Sequence, residues 1–231
     1  MGRGRFTASW VAPLIVGLLA VAIGGSGNAH ARTPEPTCPG GSVFAQPPNL
    51  GTTGWEAYVS DLTPGFTRYE RFLGISSPVC GVRWWGFHLT NPGTGFVECD
   101  DGPTSFLIAF YADQQGQPGA ELSSHAVAAT GTAVAEVNGW TLSEYQVVLD
   151  SCRTVTDGWV SIRGSGGSPS CWFLWNSSSV GDGAACQRNP QNGLVCGTGQ
   201  HYRDLSVCLV DSSVPAKALT WGTLKLLYRS M

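Results

Sequence analysis

The chain has 231 residues, including 31 glycines and 14 prolines, too rich in turn formers for a helical bundle or a coiled coil. Charged residues make up only 13%, the formal net charge is −3, and the only lysines are Lys217 and Lys225, which argues against a nucleic-acid partner held through phosphate contacts. A hydrophobic content of 42% with 10% aromatics excludes a disordered chain.

The N-terminus reads as an export signal over residues 1–31. Arg3 and Arg5 precede an apolar run from Trp10 to Ile23, and small residues lead to Ala29-His30-Ala31, with cleavage expected after Ala31. The run is shorter than the roughly 20 apolar residues a membrane helix needs, and no later run is longer. Cleavage removes two of the 13 basic residues and no acidic one, taking the formal charge from −3 to −5. The expected mature protein is secreted, or displayed at the cell surface, without a transmembrane segment.

Residues 32–52, with Thr33-Pro34-Glu35-Pro36 and Gln46-Pro47-Pro48-Asn49, predict an extended Pro-rich arm, joined to the body through Cys38. From Trp55 onward, short apolar runs alternate with Gly, Pro, Asn and Asp clusters. The clearest predicted strands cover 82–89, 105–111, 144–149, 159–163, 171–176 and 205–210, with weaker ones at 59–62, 70–75, 124–129 and 134–141. Period-2 alternation places Val82, Trp84, Gly86 and His88 on one face and Arg83, Trp85 and Phe87 on the other. No long stripe of helical period appears. The fold class expected is all-β: a two-sheet antiparallel β-sandwich, jelly-roll-like, over residues 53–212, followed by a short C-terminal tail over 213–231.

All eight cysteines lie beyond residue 31, and none forms a C-x-x-C pair. An even count on an exported chain predicts four disulfides rather than a zinc site. Cys186 and Cys196 bracket the turn residues Asn189-Pro190-Gln191-Asn192-Gly193 and are expected to pair locally. Cys171 and Cys208, each in or beside a strand-like run, are the second expected pair.

Nucleophile-elbow, zinc-helix and Walker spacings are absent. The histidines His88, His125 and His201 stand at no metal-ligand spacing. No motif requires a cofactor. Calcium is the ion that Asp100, Asp101 and Asp182 suit, as carboxylates in Gly-containing loops. The eight tryptophans after residue 31 carry the remaining signal. Adjacent strand residues face opposite ways, so one of Trp84 and Trp85, and one of Trp172 and Trp175, is expected on an outer face unless a loop covers it. Trp85 and Trp175, with Arg83 and Asn176, therefore predict a polar-rimmed aromatic platform suited to stacking on a sugar ring. Asn176-Ser177-Ser178 also fits the N-glycosylation pattern.

The succession Trp84-Trp85-Gly86, then Phe106-Leu107-Ile108-Ala109-Phe110-Tyr111-Ala112-Asp113, then Gly116-Gln117-Pro118-Gly119, resembles an uncharacterised β-sandwich domain of exported bacterial proteins over residues 44–210. The resemblance implies an extracellular or cell-surface module and transfers no catalytic residue. The function expected is a non-catalytic module, either binding a glycan or another extracellular protein or serving structurally. The alternative is a hydrolase whose site is assembled from distant residues.

Overall fold

The computed structural model describes residues 35–51, 54–198 and 202–211. The expected signal segment 1–31 and tail 213–231 lie outside these residues, as do His201 and the ends of the arm. Among the described residues every regular element is a strand.

Fourteen strands run in chain order: β1 Ser42–Gln46, β2 Ala57–Val59, β3 Thr67–Phe72, β4 Val79–Thr90, β5 Val97–Glu98, β6 Ser105–Asp113 and β7 Pro118–Ala128. They continue with β8 Thr132–Val137, β9 Trp140–Arg153, β10 Gly158–Ser165, β11 Trp172–Asn176, β12 Ala184–Asn189, β13 Gly193–Thr198 and β14 Val207–Val210. They build two antiparallel sheets. One has eight strands organised around β4, which pairs with β9 and then β5 along one edge, and with β14 and then β11 along the other. The other has six in the order β13-β12-β3-β10-β6-β7. The two-sheet sandwich is thus the fold.

Alternation along the strands decides the layers. The inward residues Val82 and Trp84 of β4, Phe106, Ile108 and Phe110 of β6, Val160 and Ile162 of β10, and Phe173 and Trp175 of β11 meet between the sheets. Their rings interlock. Trp84 stacks on Tyr145 at 5.4 Å between centroids and meets Phe106 edge-on at 5.1 Å, while Phe106 meets Phe173 at 5.1 Å.

The outer faces are not left to water. Behind the eight-stranded sheet, Trp85, Phe87, Leu89 and Leu174 form a second apolar layer under Leu50, Trp55, Val137, Trp140 and Leu142. Behind the six-stranded sheet, Tyr69, Ala109, Tyr111 and Trp159 pack with Cys186, Leu194 and Cys196. The first cover comes from the chain around residue 50 and from the β8–β9 hairpin, the second from the β12–β13 hairpin.

Strands also arise where the sequence predicts arm or loop. Residues 42–46 of the arm form β1, an edge strand on β14. The segment around Asn189–Gly193 turns the hairpin β12–β13, in which Cys186 and Cys196 face each other. The weak strand expected over 134–141 is two strands, folded at Asn138 and Gly139, whose φ values of 51° and 84° suit the tight hairpin turn favoured by Asn-Gly.

All eight cysteines are bridged: Cys38–Cys208, Cys80–Cys152, Cys99–Cys171 and Cys186–Cys196. The expected Cys171–Cys208 link does not form. Cys208 points to the outer face of β14, where the arm delivers Cys38, and Cys171 lies just before β11, beside the loop that follows β5. The covalent closure of such an arm is what an oxidising compartment permits.

Candidate functional site

The platform predicted at Trp85 and Trp175 is not a surface. Both indoles are fully buried. Trp85 does face outward from β4, but the second layer covers it, and its N–H reaches Glu144 at 3.2 Å. Trp175 faces the inter-sheet core and donates to the Ser206 carbonyl at 2.9 Å. Arg83 is held against β9, 3.4 Å from Glu144 and bonded to Gln146. Asn176 is fully buried, which also removes it as a glycan acceptor in the folded protein. Its amide donates to the Asn49 carbonyl at 3.2 Å, and its Oδ1 accepts the Trp55 indole N–H at 2.7 Å.

That last bond locates the exposed aromatic site. Glu56 is tied to the end of β11, its N–H on the Ser177 hydroxyl at 2.9 Å and its carbonyl accepting the Ser177 N–H at 2.9 Å. The neighbouring Trp55 is thereby held beside Trp140, which opens β9 directly after the Asn138–Gly139 turn. The Trp55 and Trp140 rings stand 5.8 Å apart at 45°. Buried Phe87 supports both, edge-on, at 5.9 and 6.1 Å. With Glu56, Ala57, Phe96 and Leu174 they line an apolar cleft of about 270 Å³. Trp55, Trp140 and Phe96 are only partly buried and line this cleft. Sequence reading passed over these three. The available signal was the Asn-Gly turn, which fixes Trp140 as the first residue of a hairpin arm.

On the other side of residue 54 lies a polar cleft of about 180 Å³, with Asn49, Gly54, Ser179, Tyr202, Arg203 and Asp204 on its wall. Behind it stands a group of buried charges. Arg68 is 5% exposed, lies 3.7 Å over the Tyr58 ring, and has neither its Nε nor its Nη1 hydrogen-bonded. Burial lowers its pKa to about 10. The Tyr58 hydroxyl donates to Glu56 and accepts the Arg203 N–H at 3.2 Å, and burial pushes its pKa up. Glu70, fully buried, accepts the Leu205 N–H at 2.7 Å through Oε2 while Oε1 has no donor. Burial first, and then the Asp204 carboxylate, hold its pKa well above the usual carboxylate range.

The carboxylates predicted for calcium do not converge. Asp182 is committed to Arg71 at 2.8 Å and to the Ala184 N–H at 2.9 Å. Asp100 lines a cleft of about 250 Å³ with His88 and Glu98. Asp101 lies beside Cys99 and Cys171, whose sulfurs are spent in a disulfide and offer no thiolate. His88 bonds the Tyr145 hydroxyl at 3.1 Å, its pKa lowered by burial. His125 pairs through Nδ1 with Asp150 at 2.5 Å, the orientation of a general base, but its Nε2 is buried and lacks a partner, and its ring meets Phe110 edge-on.

No protein-family model, curated protein or solved structure matches the chain. Among the described residues no helix is long and apolar enough to cross a membrane.

Proposed function

We propose that the protein is a secreted, non-catalytic binding module, and that it takes a carbohydrate ring in the cleft between Trp55 and Trp140. Four disulfides and an all-β frame support an extracellular setting. The observation that carries the reading is the pair of tilted, partly exposed indoles 5.8 Å apart, fixed from beneath by Phe87 and from the side by Asn176. Aromatic faces present apolar area to the C–H face of a sugar at low entropic cost, because the rings are already positioned. The Glu56 carboxylate at the same cleft supplies acceptors for sugar hydroxyls. The scaffold is rigid, so little ordering is needed on binding.

The test is a glycan array followed by calorimetry on the best ligand, with wild type and the Trp140→Ala and Phe96→Ala variants. Wild type binds a subset of glycans, and Trp140→Ala weakens binding at least fivefold with the near-UV spectrum otherwise folded. An array without hits, or equal affinity in both variants and wild type, refutes the proposal.

A further inference from the structure

We infer that Arg203 forms an oxyanion subsite next to the aromatic cleft, so that the ligand is an acidic carbohydrate carrying a carboxylate or sulfate on its ring. This rests on the binding reading above and narrows its ligand class. The first observation is Gly54. Its φ is +79°, and a Cβ there would lie 2.6–2.8 Å from Nη2, Cζ and Nη1 of Arg203. The glycine thus lets the guanidinium lie flat against the chain one residue before Trp55, and consecutive Cα atoms are only about 3.8 Å apart. A cation is held at the shoulder of the stacking surface.

The second observation is what that guanidinium lacks. The ion pairs among the described residues are Arg71–Asp182, Arg83–Glu144 and His125–Asp150, so Arg203 has no carboxylate partner. Its Nε is buried without an acceptor. The two acids nearby are turned to other donors, Asp204 with both oxygens and Glu56 with one. Asp204 turns both oxygens to the Gly183 N–H, at 2.9 and 3.1 Å, and Glu56 accepts the Tyr58 hydroxyl. Desolvation and the neighbouring Asp182 raise the Asp204 pKa, which reduces its claim as a counter-charge.

The third observation is the donor balance. Arg203, Tyr202 and Ser179 bring a guanidinium and two hydroxyls to one cleft of about 180 Å³. A planar guanidinium with free N–H groups recognises carboxylate and sulfate oxygens through charge-assisted hydrogen bonds. A neutral sugar would leave those donors to water. A ring stacked at Trp55 or Trp140 and bearing an acidic substituent satisfies both clefts together.

The test uses a galacturonate oligosaccharide and its methyl ester, which is the same ring without the charge, titrated into wild type, Arg203→Gln and Trp140→Ala. The acid is expected to bind wild type at least tenfold more tightly than the ester, Arg203→Gln to erase that difference while leaving the ester unchanged, and Trp140→Ala to weaken both. A sulfated oligosaccharide run in parallel distinguishes the two oxyanions. Independently of any glycan, the Arg203 Nε–H resonance is followed by NMR during titration with sodium glucuronate and with sodium sulfate against sodium chloride at equal ionic strength. A chloride-like response to both anions overturns the subsite even if neutral glycans bind at Trp140. A specific response without any effect of Trp140→Ala on binding retains the subsite and refutes the aromatic reading. Equal affinity for acid and ester in wild type also overturns it.

Discussion

Replacing Glu70 by glutamine is expected to stabilise the protein, and to do so only above acidic pH. Glu70 is completely buried on β3. Its ionised form is favoured by the Leu205 N–H at 2.7 Å and by a hydrogen bond from the Gln46 side chain, but burial and the repulsion of Asp204 outweigh both. The folded-state pKa is therefore raised, and the folded protein holds this proton at pH values where the unfolded chain has released it. By linkage, stability falls as pH rises from the unfolded value of 4.5 toward the folded one, and is flat beyond. Glutamine keeps the acceptor for Leu205 and is never charged, and Gln46, whose Oε1 also lacks a donor, is at hand for the new amide. A buried unmatched polar group costs about 1–3 kcal/mol. For a chain of this size that corresponds to a Tm gain of roughly 2–12 °C at pH 8, shrinking to nothing near pH 4. Calorimetric melts of both proteins from pH 4 to 8, with disulfides intact, measure this. Curves that run parallel across the range would refute a proton held by Glu70.

Three other outcomes follow from particular contacts. Gly86→Ala puts a methyl 2.3 Å from the Phe173 ring and 2.4 Å from the Leu174 carbonyl, where β11 pairs with β4, so denaturant melts should show a loss of about 1–3 kcal/mol or more. Opening Cys38–Cys208, which closes 170 residues, should lower stability more than opening Cys186–Cys196, which closes 10, by about 2.5 kcal/mol in the chain-entropy model; paired Cys→Ser variants compared in urea test the order. The Asp150 pKa is lowered, first by its hydrogen bond to His125, so the pair's stabilisation is present above the usual aspartate range and lost as pH falls through the lowered value; Asp150→Asn should abolish that acid-side dependence in denaturant melts across acidic pH.

The sheets were legible in the sequence because burial on one side imposes period 2. Alternation grouped Val82 with Trp84 on one face of β4, which proves to be the inner one, and each strong predicted run became a strand. Edges were harder to read. β1 is only five residues inside a Pro-rich stretch, and its strand character comes from pairing with β14 at the far end of the described chain. β12 and β13 are short and do not alternate apolar with polar residues, so nothing local separates them from a loop; the facing cysteines hold their register. The disulfide guess at Cys171 and Cys208 failed for a similar reason. Strand location does not say which face a cysteine takes, nor which distant loop arrives there.

The aromatic site shows why alternation found the right residue type in the wrong place. Parity correctly sent Trp85 to the outer face of β4. A sheet face that carries Trp85, Phe87, Leu89 and Leu174 is, however, too apolar to stay bare in water, and the fold answers with a further layer. Covering one row of aromatics with another moves the exposed ring outward by one layer. Trp55 and Trp140 are that next row: they bury Phe87 beneath them and keep their own outer surface free. Of the residues predicted for binding, only Asn176 touches this site, and it does so as support. Phe87, beside Trp85 in the same layer, props both rings, and Asn176 fixes the Trp55 indole by a 2.7 Å hydrogen bond. Replacing the support should misplace the platform without touching a ligand, whereas replacing Trp140 removes the surface itself.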